Sequence, residues 1–195
     1  MANVFAIHSV GSSLVTYLKN TYPESLQDDF PCEFKLVSSG ELAVMEKDLD
    51  GVVSLFLHRI TANEHLRTAR RGVDPLDASV PLSIDLHFLL SVWHASAAAE
   101  QVILAWAMRQ LHLRPVLDAS SLSPEAGWQP SDVVHILPAE LSSEDLMRIW
   151  DAIVPAYRLS VSYIARVVRI DGPVVPGGRP VVATRFEYQT TGPRS

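Results

Sequence analysis

The chain is poor in several things, and each scarcity closes off a class of protein. It holds a single cysteine, Cys32, in 195 residues, so no intrachain disulfide can form and the expected setting is a reducing one. No apolar run approaches the roughly 20 residues a membrane span requires, and no positive stretch followed by an apolar core opens the chain. Sequence alone therefore leads us to expect a soluble protein made in the cytoplasm. Charged residues make up only 19% of the chain, and acids outnumber bases to give a net charge of −6. That balance argues against nucleic acid as a partner. Motifs are missing as well: there is no Cys-x-x-Cys pair, no His-Glu-x-x-His run, no Gly-x-Ser-x-Gly elbow and no P-loop. The glycines at 172, 177 and 178 belong to a proline-rich spacer, not to a dinucleotide fingerprint. We expect no cofactor, no metal and no enzyme activity.

What is present is apolar patterning. The apolar content of 48% and the chain length suit one globular domain, residues 1–171, with a basic Pro/Gly-rich extension over 172–195 that holds a candidate last strand at 181–188. The organising stretch runs from Val80 to Trp93. Val80, Leu82, Ile84, Leu86, Phe88, Leu90 and Val92 occupy alternate positions, so all seven line one face of a strand. The opposite face holds Pro81, Ser83, Asp85 and His87, then becomes apolar at Leu89 and Trp93. Further strands are expected at 32–37, at 52–60 (where the run Leu55-Phe-Leu57 implies cover on both faces), at 133–137 and at 159–170. In the last of these the alternation slips by one residue, which places a bulge near Val167.

Helices are expected from Asn3, as N-cap, to Thr21; from Ser96 to about Leu113; and from Ser142 to Pro155. In the third, Ser142 and Asp145 have cap spacing, and Leu141 with Leu146 has staple spacing. The second is apolar nearly all round, which implies burial, either in its own domain or against a neighbouring subunit. Residues 39–51 and 118–131 read as connections, with Trp128 either tucked onto the core or facing a partner. The fold class is α/β (α+β): a mixed, mostly antiparallel sheet of about four to five strands with packed helices.

The polar stretch Thr61–Ser79 is long for a connection in a compact domain. Its Arg67, Arg70 and Arg71 allow a contact across an oligomer seam, a phosphate site or a solvated loop. The histidines offer little: His58 and His65, like His87 and His94, are seven apart, a spacing that puts them on opposite sides of a strand. Asp85 and His87 share a strand face, yet no serine or cysteine partner is implied, so paired surface polar groups are the simpler reading.

Two stretches carry a family likeness. One is Pro81-Leu-Ser-Ile-Asp-Leu-His-Phe-Leu-Leu-Ser-Val-Trp-His94 with Leu111-His-Leu-Arg-Pro-Val-Leu117; the other is Leu141-Ser-Ser-Glu-Asp-Leu-Met-Arg-Ile-Trp150 with Tyr157-Arg-Leu-Ser-Val-Ser-Tyr163. With Leu57-His-Arg-Ile-Thr-Ala-Asn63 and Arg67, they resemble the small cap proteins of extracellular contractile injection systems of the antifeeding-prophage type. The likeness covers roughly residues 3 to 171 in matching order. It departs at Ala105-Trp106, where a small pair containing glycine is expected.

The resemblance implies a phage tail-terminator-like fold and a homo-oligomer, a hexameric ring. That ring would close the inner tube and hold the last layer of sheath at the end away from the baseplate. The implied partners are copies of itself, the inner tube protein and the sheath protein, with no nucleic acid and no membrane. The implied location is the bacterial cytoplasm during assembly, then a phage tail-like particle that is released. An adaptor that attaches or loads another component of the particle is the alternative. On this reading Asn63, Arg67, Arg70, Arg71, Arg179 and Arg185 are the expected subunit or sheath contacts, and sheet-edge pairing is one way for subunits to join.

Overall fold

The computed structural model describes residues 2–45, 50–63, 81–153 and 156–171. In chain order the elements are α1 (Ala6–Thr21), α2 (Glu24–Asp29), β1 (Glu33–Val37), α3 (Ser39–Val44), β2 (Asp50–Ala62) and β3 (Leu82–His94). There follow α4 (Ala97–Leu113), β4 (Val116–Asp118), a 3-10 turn (Pro124–Ala126), β5 (Val133–Pro138), α5 (Ser143–Ile153) and β6 (Ser160–Ile170). The strands form one mixed sheet of order β1-β2-β3-β6-β5-β4. β1 runs parallel to β2 and every other pair is antiparallel. The sheet thus has six strands where the sequence led to four or five; the added one is β4, three residues long, too short to show an alternation.

β3 lies at the centre, and its alternation separates two cores. Ile84, Leu86, Phe88, Leu90 and Val92 face a large core shared with Ala6, Val10, Leu14 and Leu18 of α1 and with Ala99, Ile103, Ala107 and Leu111 of α4. Each fully buried Val, Leu, Ile or Phe among these contributes about 1.5–3 kcal/mol relative to exposure. Leu89 and Trp93 point the other way, into a smaller core with Leu42 and Met45 beside α3 and Trp150 and Ile153 of α5. Trp93 is fully buried on that side because its indole Nε1 donates to Ser54 Oγ at 2.7 Å. The Arg158 guanidinium lies 5.5 Å from the centre of the Trp93 ring and 3.6 Å from Glu100, so one cation is shared between a ring face and a carboxylate.

Several expected boundaries move. α1 begins at Ala6 instead of directly after Asn3; Asn3 Oδ1 accepts from Phe5 N at 2.8 Å and its Nδ2 donates to Glu125 O, tying the entry of the helix to the 3-10 turn. The 39–51 connection contains α3, started by a reciprocal capping box: Glu41 N donates to Ser38 Oγ, and Ser38 N donates to Glu41 Oε2. The helix expected to be buried nearly all round is α4, and only one side of it is covered, for Val102 and Met108 are exposed. It forms an outer layer on the sheet, and among the described residues no element lies over its far side. Trp106, the departure in that helix, sits edge-on to Tyr22 and Phe34 at 4.8 and 5.8 Å between ring centres. Trp128 tucks inward and donates to Ser9 Oγ at 2.8 Å.

Candidate assembly surface

The bulge expected near Val167 is present, and it shapes one half of the second sheet face. Across β3 and β6, Ile84 pairs with Val168 and Leu86 with Ala165, so Arg166 and Val167 together oppose Asp85. Val167 sits at φ +63°, a strained conformation for a β-branched residue. Its N–H is turned into the sheet and donates to Asp85 Oδ1 at 3.1 Å. Asn63 Nδ2 donates to both oxygens of the same carboxylate, at 3.0 and 3.2 Å, and Arg166 Nε lies 3.7 Å from Oδ2. A carboxylate that is 7% exposed requires such donors. Asn63, named above as a contact residue, is buried in this node with its amide turned towards Asp85.

The neighbouring imidazoles are held neutral. His87 Nε2 lies 3.0 Å from Thr61 Oγ1, and burial with help from the Arg59 charge keeps its pKa below the ordinary histidine value. His58 stands at the second irregularity, where the β2 register shifts between Leu57 and Arg59. Burial and the nearby His87 push its pKa down to about 4. Asp85 and His87 therefore have separate partners and form no catalytic couple. Cys32 is buried, and burial pushes its thiol up to about 11. Among the described residues no group of three His, Cys, Asp or Glu side chains is placed to hold a metal, and no helix is long and apolar enough to cross a membrane.

Among the described residues, helices cover this sheet face at one end only. α3 and α5 cover its Trp93 end. At the other end, register places Arg59 beside His87, Arg166 beside His135 and Arg169 beside Ser83, so these side chains share one side of the sheet. Arg59, His135, Arg166 and Arg169 are exposed, as is Leu137. An open cleft of about 340 Å³ runs along its margin between Trp128, Asp132, Val133, His135, Val167 and Arg169. A second feature, an apolar groove of about 700 Å³, lies between the start of α1 and β1–α3, with exposed Val4 and Phe5 on its rim. Of the residues expected to make assembly contacts, Arg67, Arg70, Arg71, Arg179 and Arg185 lie outside the described residues.

Residues 9–184 match the model of the Pvc16 N-terminal domain. The chain belongs to that family. Two solved structures share the fold of this Pvc16-type domain. One is the sheath/tube terminator, in the extended state, of an extracellular contractile injection system, PVC. It has a TM-score of 0.57 at 21% identity, over 96% of this chain and 65% of that one. The other is the tube-terminating cap of the anti-feeding prophage, with a TM-score of 0.55 at 14% identity, over 98% of this chain and 62% of that one. The Pvc16-type chain thus spans a little under two thirds of the length of each. No curated protein matches it. The open cationic half-face was not visible as a unit in the sequence, although Arg59 and Arg166 each stand at outward positions of a recognisable strand; register across four strands brings them together.

Proposed function

We propose that this chain is a structural terminator of a contractile injection particle, a cap subunit at the end of the tube. The Pvc16 N-terminal domain match over residues 9–184 carries the reading, and the fold shared with a sheath/tube terminator and a tube-terminating cap supports it. In its finer form, copies of the chain join into a hexameric ring that closes the inner tube. The same ring anchors the last sheath layer away from the baseplate. The particle is assembled in the bacterial cytoplasm and then released. The role is mechanical and needs no cofactor. The 61–79 stretch and the 172–195 tail meet a neighbouring copy or the sheath, with Arg67, Arg70, Arg71, Arg179 and Arg185 among their contact residues.

Electron microscopy of the purified protein mixed with its inner tube tests this, alongside light scattering for the mass of the assembly. Density closing one end of the tubes and a six-copy mass are expected. Bare tube ends and a chain that stays monomeric while binding a different particle component would replace the cap with the adaptor.

A further inference from the structure

We propose that the open cationic half of the sheet is the receiving side of a head-to-tail contact, and that what it receives is the acidic helix α2 of a second copy of this chain. This rests on the terminator reading and names the surface by which copies join. Arg59, Arg166 and Arg169 bring three fixed positive charges to the half-face. Among the described residues Asp85 is the acid inside it, buried and already engaged by Asn63, Val167 and Arg166, while Asp132 lies at the cleft margin and accepts from Gln129 N. Asp118, at the β4 margin, is folded into its own turn by Ser120 and Ser121. His87 and His135 add donors without adding acid. The two longest remaining stretches carry no acid surplus, and residues 46–49 carry one acid more than bases. Residues 64–80 carry as many bases as acids, and residues 172–195 carry more bases than acids.

The complement sits elsewhere on the same molecule. α2 reads Glu-Ser-Leu-Gln-Asp-Asp, with no base, and Glu24, Asp28 and Asp29 are all exposed. Among the described residues these three form no ion pair, whereas Glu33 just beyond is paired with Lys35 at 2.7 Å. β2 separates the two patches. Its Val52 pairs with Glu33, four residues past the end of α2, while Arg59 stands seven residues further along. At about 3.3 Å per residue that is roughly 20 Å, too far for one copy to satisfy itself. Like face against like face would repel, which removes a two-fold dimer through this surface. Face against helix leaves each copy with one donor and one acceptor surface, the head-to-tail arrangement that a closed ring requires. Exposed Leu137 supplies apolar contact beside the charges.

A charge-exchange experiment on the full chain decides the matter. One variant carries Arg59→Glu with Arg169→Glu, which leaves the Arg166–Asp85 pair in place; the other carries Glu24→Lys, Asp28→Lys and Asp29→Lys. Circular dichroism checks that both fold. Self-association is read by sedimentation, free and on tube ends. Each variant alone should associate at least ~10-fold more weakly than the parent, and a one-to-one mixture should regain association by alternating the two. Parent-like association of either folded variant, a mixture that stays apart, or a parent chain that does not self-associate even on tubes would overturn the docking. Capping of tubes by the parent, measured in parallel, separates that failure from failure of the terminator reading.

Discussion

Asp85 does at residue scale what no other side chain here does: it holds a bulge in shape from inside the sheet. Replacing it with alanine removes the acceptor for the buried Asn63 Nδ2 and for the half-buried Val167 N–H. Each unsatisfied group costs about 1–3 kcal/mol, so Asp85→Ala is expected to lower the urea-unfolding free energy by about 3 kcal/mol. Val167→Gly should act oppositely, because glycine tolerates φ +63°. Relief of strain then offsets the entropy cost, and stability should stay level or rise by about 1 kcal/mol. A large loss on Val167→Gly, or none on Asp85→Ala, would show that the bulge is held by something else. The bulge itself could be read from the slip in alternation after Val167. Its partner could not, since Asn63 and Asp85 are 22 residues apart and meet only once the β2–β3 register is known.

At the scale of elements, the long periodic segments were legible and the short ones were not. β3 and β6, and the capped start of α5, follow from pattern and spacing alone: Asp145 N donates to Ser142 Oγ at 3.0 Å, as that spacing implies. α2 and α3, each six residues long, are shorter than two helical turns and carry no measurable periodicity. Yet α3 is announced by Ser38-x-x-Glu41, a cap signature set among glycine and acids. The cap is also a stability lever. Ser38→Ala removes the side-chain acceptor for Glu41 N and should cost about 1 kcal/mol, seen as a lower midpoint in thermal unfolding. An unchanged midpoint would mean that Leu42 and Met45, packed near Trp93, hold α3 without help. The breadth of the apolar surface of α4 was readable, but not which side would be covered, because that depends on where α1 and the sheet come to lie.

For the whole molecule, the body described here is acidic, while the stretch from 172 to the C-terminus is basic. Removing residues 172–195 should leave the thermal transition of the monomer within a few degrees of the parent. It should also weaken ring formation or sheath attachment in pull-down with tube and sheath. Unaltered assembly would release that segment from any role in contact. A different consequence follows from the margins of the sheet. Among the described residues the border strands are β1, five residues long, and β4, three, so the rows of amides and carbonyls they present at either border are short. Stacking copies border to border would gain few main-chain bonds, and open-ended fibre growth has little to build on. Copies joined through charged side chains instead should part when ionic strength rises and rejoin on dialysis, which suits a plug put in place once the tube beneath it is complete.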